Sequence, residues 1–188
     1  TKAGNGAGTI TSVPPGIDCG LDCNELYDGG TIVTLMAAAG ANSLFSGWSG
    51  DTDCVDGQVI MDGPKSCVAT FTVKQHTLAV AREGTGAGTI ISVPAGIACG
   101  IDCTEDYDHG TVVALIPVAE ANSLFTGWSG DAGCADGLVT MDGTKNCTAT
   151  FTLKQQTLSV SKTGEGAGTV TSIPAGIDCG VDCTEDYD

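Results

Sequence analysis

The chain has 188 residues, with 7 basic against 23 acidic side chains and a net charge of −16. So acidic a surface repels phosphate backbones and anionic headgroups, which excludes nucleic acid and simple membrane-surface binding as its task. No apolar run reaches the ~18 residues a membrane-crossing helix needs, so no transmembrane segment is expected.

An 80-residue period organises the sequence. The stretch GAGTITSVPPGIDCGLDCNELYD from Gly6 returns from Gly86 and again from Gly166. Of the 80 positions aligned between the first two copies, 51 are identical without a gap, the mark of a tandem array. The expected modules are 1–76, a repeat lacking its first strand; 77–156, a complete repeat; and 157–188, the N-terminal part of a third. With its third copy cut at Asp188, the chain reads as a window on a longer polypeptide.

In the complete repeat, Thr77–Arg82 (TLAVAR) predicts a strand, Gly84–Gly88 a tight turn, and Thr89–Val93 the returning arm of a hairpin. Pro94–Cys103 reads as a clipped loop, followed by at most one helical turn near Thr104–Asp108. Thr111–Val118 is an apolar strand interrupted by Pro117, and Ser123–Trp128 is a strand carrying the aromatic residues. Leu138–Met141 and Cys147–Leu153 predict a closing hairpin. No stretch sustains a helical period, so the class is mainly β, with about six short strands per module. The connections Lys74–Thr77 and Lys154–Thr157 lack Gly and Pro, so neighbouring modules are expected at restricted angles.

Units this small bury modest cores and often need staples. Cys19, Cys23, Cys54 and Cys67 recur as Cys99, Cys103, Cys134 and Cys147, and the third copy opens with Cys179 and Cys183. Even numbers at fixed spacing suggest disulfides and an oxidising compartment. Four cysteines allow three pairings, and sequence alone does not choose among them. Pairing within each local motif is favoured: Cys19–Cys23, Cys54–Cys67, Cys99–Cys103, Cys134–Cys147 and Cys179–Cys183. A four-thiolate zinc site is the rival, without the usual CxxC spacing, and no CxxCH haem motif occurs.

Other candidates are weighed by whether both copies carry them. The GxGxG at Gly4, Gly6 and Gly8 precedes strand-like sequence rather than a helix, which favours a turn over a dinucleotide site. His76 aligns with Gln156 and His109 with Gly29, so no Ser–His pair repeats; no catalytic residue and no enzyme are expected. Trp48 and Trp128 are read as core residues beside Phe45 and Phe125, with sugar stacking as the rival. Asp22, Glu25 and Asp28 recur as Asp102, Glu105 and Asp108, a carboxylate set that could bind calcium or simply face water. Lys65 and Lys145 recur, as do Asn42 and Asn122, residue types that form isopeptide cross-links.

The motif order TLxV, a glycine turn, GTITSxPxGIxCGxDC, an acidic YD segment, SxFxGWSG and MDGxKxCxATF resembles the divergent InlB B-repeat family of bacterial extracellular proteins. Its clearest marks are Phe45–Trp48 and Ala69–Phe71. The resemblance covers essentially the whole chain. It implies secreted or surface-anchored tandem modules, β-grasp-like or a small β-sandwich, without catalytic residues or a required cofactor. The function expected is a stalk, adhesin arm or surface filament whose partner is the chain itself, as neighbouring modules or a homopolymer. The alternative is a multivalent array that binds glycans or another surface through its tryptophans.

Overall fold

Alternating residues in the Val, Ile and Thr runs turn inward, as period-two patterning requires. In Gly88–Val93, for example, Gly88, Ile90 and Ser92 are buried while Thr89, Ile91 and Val93 face water. The computed structural model describes residues 1–20 and 22–188. The first repeat forms β1 (Lys2–Ala3), β2 (Gly8–Val13), β3 (Ile32–Ala39), β4 (Ser43–Gly50), β5 (Gln58–Ile60) and β6 (Cys67–Val73), with a 3-10 turn at Thr52–Cys54. The second forms β7 (Gln75–Glu83), β8 (Gly88–Val93), β9 (Ala98–Cys99), β10 (Thr104–Asp108), β11 (Val112–Ala119), β12 (Ser123–Gly130), β13 (Leu138–Thr140) and β14 (Lys145–Leu153). Beyond these lie β15 (Gln156–Ser159) and β16 (Thr184–Tyr187).

Contacts divide the chain into two compact units. One comprises Thr1–Thr77, Asp106–Thr111 and Met141–Thr144; the other comprises Leu78–Glu105, Val112–Thr140 and Lys145–Asp188. The protein is mainly β, built from tandem disulfide-stapled modules. Of the two forms expected, the two-sheet sandwich is the one built. In the second repeat one sheet runs β10-β7-β14-β12 and the other β13-β11-β8-β9. In the first repeat the sheets are β1-β6-β4 and β2-β3-β5. Its core joins Ile10 from one sheet to Ala69 and Phe71 from the other, with Cys19 beside them and Trp48 packed against the group.

Several local expectations fail at the level of strand pairing. The runs on either side of Gly84–Gly88 do not form a hairpin: β7 pairs in parallel with β14, while β8 pairs antiparallel with β11. The glycines carry the chain from one sheet to the other, tightly across Phe151. A Cβ on Gly84 would lie 2.0 Å from the Phe151 carbonyl oxygen, and one on Gly88 would lie 2.3 Å from the Phe151 ring. Gly86 N–H donates to the same carbonyl at 2.9 Å. The predicted closing hairpin is also absent, because β13 joins β11 in one sheet and β14 joins β12 and β7 in the other. Thr104–Asp108 is a strand rather than a helical turn, since β7 offers it a backbone edge. The complete repeat therefore holds eight strands from β7 to β14, not about six.

Candidate functional site

Three recurrent devices hold the surface loops. The first is the SxPxGI segment. Ser12 Oγ accepts the Ile17 amide at 2.9 Å and meets the Tyr27 hydroxyl at 2.8 Å, and Tyr27 also donates to the Pro14 carbonyl at 3.3 Å. Ser172, Ile177, Tyr187 and Pro174 repeat the arrangement. The second device is Asp51 and its counterpart Asp131. Asp131 Oδ2 accepts the Asn146 amide at 2.7 Å, which fixes the chain just before Cys147.

The third device is covalent. The structure pairs Cys19 with Cys23, Cys54 with Cys67, Cys99 with Cys103, Cys134 with Cys147, and Cys179 with Cys183. Cys54 ends the 3-10 turn and Cys67 opens β6, so the bond ties a loop to the sheet.

The aromatic element is shaped by a β-bulge. Phe45 pairs with Phe71 and Gly47 with Thr70, leaving Ser46 as the extra residue. Residues three apart normally point to opposite faces of a strand; the bulge brings Phe45 and Trp48 to one face. Their ring centroids lie 5.4 Å apart, and Phe45 sits 5.6 Å from Phe71. Trp48 is half-buried and Phe45 is exposed, whereas Phe71 is fully buried. Phe125, Trp128 and Phe151 repeat the set. The tryptophans are thus neither free platforms nor sealed core: each indole covers its core and leaves an edge to solvent.

The carboxylates proposed for calcium are engaged separately. Asp22 accepts the Asn24 amide, Glu25 the Leu26 amide and Asp102 the Thr104 amide. Within the first unit, Asp108 is bonded at 3.2 Å by both Asn5 Nδ2 and Gln75 Nε2. Beside it, His76 Nε2 and His109 Nδ1 lie 3.1 Å apart. Asp28 contributes its backbone carbonyl to Thr31, and Glu105 lies in β10. Among the described residues, no three such groups converge as metal ligands.

Lys65 reaches neither Asn42 nor a cross-link. Its Nζ lies 2.7 Å from Asp62 and 3.1 Å from Asp53. The Lys65 hydrogen bond lowers the Asp53 pKa below the usual 3.8, against the opposing effect of burial. The hydrogen bonds that Lys65 donates to Asp62 and then to Asp53 raise its pKa above 10.5. The sign is therefore fixed at both ends. Asp53's contribution is full above its unfolded value and is lost as pH falls through the lowered one. Lys65's contribution is full below its unfolded value and is lost as pH rises through the raised one. Carboxyl NMR should place the Asp53 midpoint below 3.8, and Lys65→Met should move it upward. A midpoint that ignores the substitution would contradict the assignment.

The first repeat also carries a groove of about 800 Å³ between its sheets, lined by Ile10, Ile17, Val33, Leu35, Val59 and Met61. In the second repeat the equivalents Ile97, Val113, Leu115 and Met141 are buried.

A family model described as the divergent InlB B-repeat domain matches residues 1–75 and again 80–155. The chain belongs to the divergent InlB B-repeat family. No curated protein and no solved structure matches it. The two InlB B-repeat matches follow the 80-residue period and include both FxGW elements and both terminal ATF strands. The Ser12–Tyr27 tie and the asymmetric His76–His109 pair escaped sequence reasoning. The first left a signal, since Ser, Pro and Tyr recur in all three copies; the second left none, since neither histidine recurs.

Proposed function

We propose that these InlB B-repeats are a segment of an extracellular stalk or surface arm, a part that sets distance rather than one that performs chemistry. The observation that carries this reading is what the first two repeats share. The shared side-chain features are core packing (Phe71 and Phe151), loop ties (Asp51 and Asp131) and disulfides. Among the described residues, no helix is long and apolar enough to cross a membrane. Five disulfides suit an oxidising exterior, and the charge of −16 disfavours clumping.

The test is a series of arrays with increasing numbers of this repeat, measured by small-angle scattering. A maximum dimension that grows by a constant step per repeat supports the stalk. A dimension that levels off as repeats are added overturns it.

One observation favours a second reading, a glycan-binding array: the exposed face of Phe45 beside the half-buried Trp48. Retention of the chain on a glycan surface, abolished by Trp48→Ala with Trp128→Ala, would establish that reading instead.

A further inference from the structure

The two sheets of the second repeat differ on their outer faces. A sheet with one face in water is expected to alternate apolar and polar residues, and β14 does so. It turns Cys147, Ala149 and Phe151 inward and Asn146, Thr148, Thr150 and Thr152 outward. The opposite sheet breaks the rule. β11 turns Val113 and Leu115 inward, yet its outward residues are Val112, Ala114, Ile116 and Val118. Ile91 and Val93 of β8 and Leu138 of β13 join them on that face. The register sets them in rows, with Ile116 beside Ile91, and Ala114 between Val93 and Leu138.

Apart from Ala114, these side chains are 41–57% exposed. The strands of this sheet, β8, β9, β11 and β13, contain no Asp, Glu, Lys or Arg, in a chain of net charge −16. The other sheet carries Glu83, Glu105, Asp106 and Asp108. In the first repeat β2, β3 and β5 are likewise without charge, and Val13, Ile32, Met36 and Ile60 are 48–59% exposed. The apolar face thus occurs both in a repeat that another follows and in a repeat that another precedes.

We propose that the outer face of the β13-β11-β8-β9 sheet is a docking surface, and that its occupant is the same face of a second copy of this chain. Charge, shape and area select that occupant. Elsewhere two copies this acidic repel one another, whereas on this face no carboxylate meets another. A partner chosen by its own charge finds no counter-charge here. Two sheet faces rich in Val and Ile interdigitate at a spacing of about 10 Å, as the two sheets of a sandwich do. The half-exposed side chains present roughly 500 Å² of apolar surface, at the upper end of what a monomer leaves uncovered. One such face against another buries about 1,000 Å² in all, where specific but transient contacts begin. The contact is isologous, each copy offering the same surface. This goes beyond the stalk reading, which stands whether or not copies pair.

The experiment is sedimentation velocity of the 188-residue chain over a range of concentration and salt. Reversible self-association is expected, and it should strengthen with salt as the repulsion between copies is screened. A chain with Met36→Lys and Ile116→Lys should associate at least about tenfold more weakly, because each lysine is buried without a partner. Glutamates at the same two positions should act alike. An equimolar mixture of the lysine and glutamate variants should recover association, which a folding defect in either could not do. Val68→Lys with Thr148→Lys puts the same charges on the outer faces of the other sheets and should change nothing. A chain monomeric at every concentration and salt overturns the proposal, as does association that ignores the lysines at 36 and 116. So does a mixture that stays monomeric. A monomeric chain that adsorbs to octyl-coated beads through this face would assign it to an apolar surface instead, and that result also overturns the proposal.

Discussion

Phe151→Ala is expected to lower the unfolding free energy of the second repeat by about 3–5 kcal/mol, the cost of truncating a sealed aromatic residue. Phe151 is 1% exposed and meets the Phe125 ring at 5.7 Å. Its ring lies against Gly88, and its backbone carbonyl receives the Gly86 amide. The crossing glycines have no side chains to collapse into the space left behind, so the cavity should persist. Denaturant unfolding followed by Trp128 fluorescence, in a Trp48→Phe background, reads this repeat. A loss below about 1 kcal/mol, the centre of the range for point substitutions, would show that removing the Phe151 ring leaves no lasting cavity.

Replacing Cys134 and Cys147 by serine should cost about 3 kcal/mol, as loop-entropy reasoning gives for a bond spanning 13 residues. The same change at Cys99 and Cys103, spanning 4 residues, should cost about 2 kcal/mol. Both partners of the longer bond are 1% exposed, so polar serines there add a desolvation cost that widens the gap. Thermal unfolding of the two double variants tests the ranking, and a reversed order would refute it.

The sequence discloses strands better than partners. The apolar runs around Val113 and Ala149 were legible because alternation is local. The pairing of Leu78 with Lys145 was not, because it joins residues 67 apart. GTGAG between two strand-like runs has the form of a hairpin turn, and what reveals the crossover is the nearness of Phe151. The same lack of long-range information made Leu138–Met141 and Cys147–Leu153 look like the arms of one hairpin. Among candidate site residues, the period sorted scaffold from incident. It could not disclose that Ser46 and Thr126 are bulge residues, which turn Phe45 and Phe125 towards their tryptophans. Nor could it disclose that Asp102 and Asp108 serve separate amides, since chain proximity does not fix side-chain direction.

The parallel pairing of β7 with β14 has a mechanical consequence. These are the first and last strands of the repeat and they run the same way, so the chain enters at one end of the pair and leaves at the other. Nine residues of β14 separate those ends by about 26 Å at the usual strand rise. Tension on the chain therefore slides β7 along β14 in shear, loading six paired positions together rather than unzipping them in turn. Behind that clamp, the bond from Cys134 to Cys147 keeps the intervening loop from paying out. Such a repeat should resist a pull along its length more strongly than its modest core suggests.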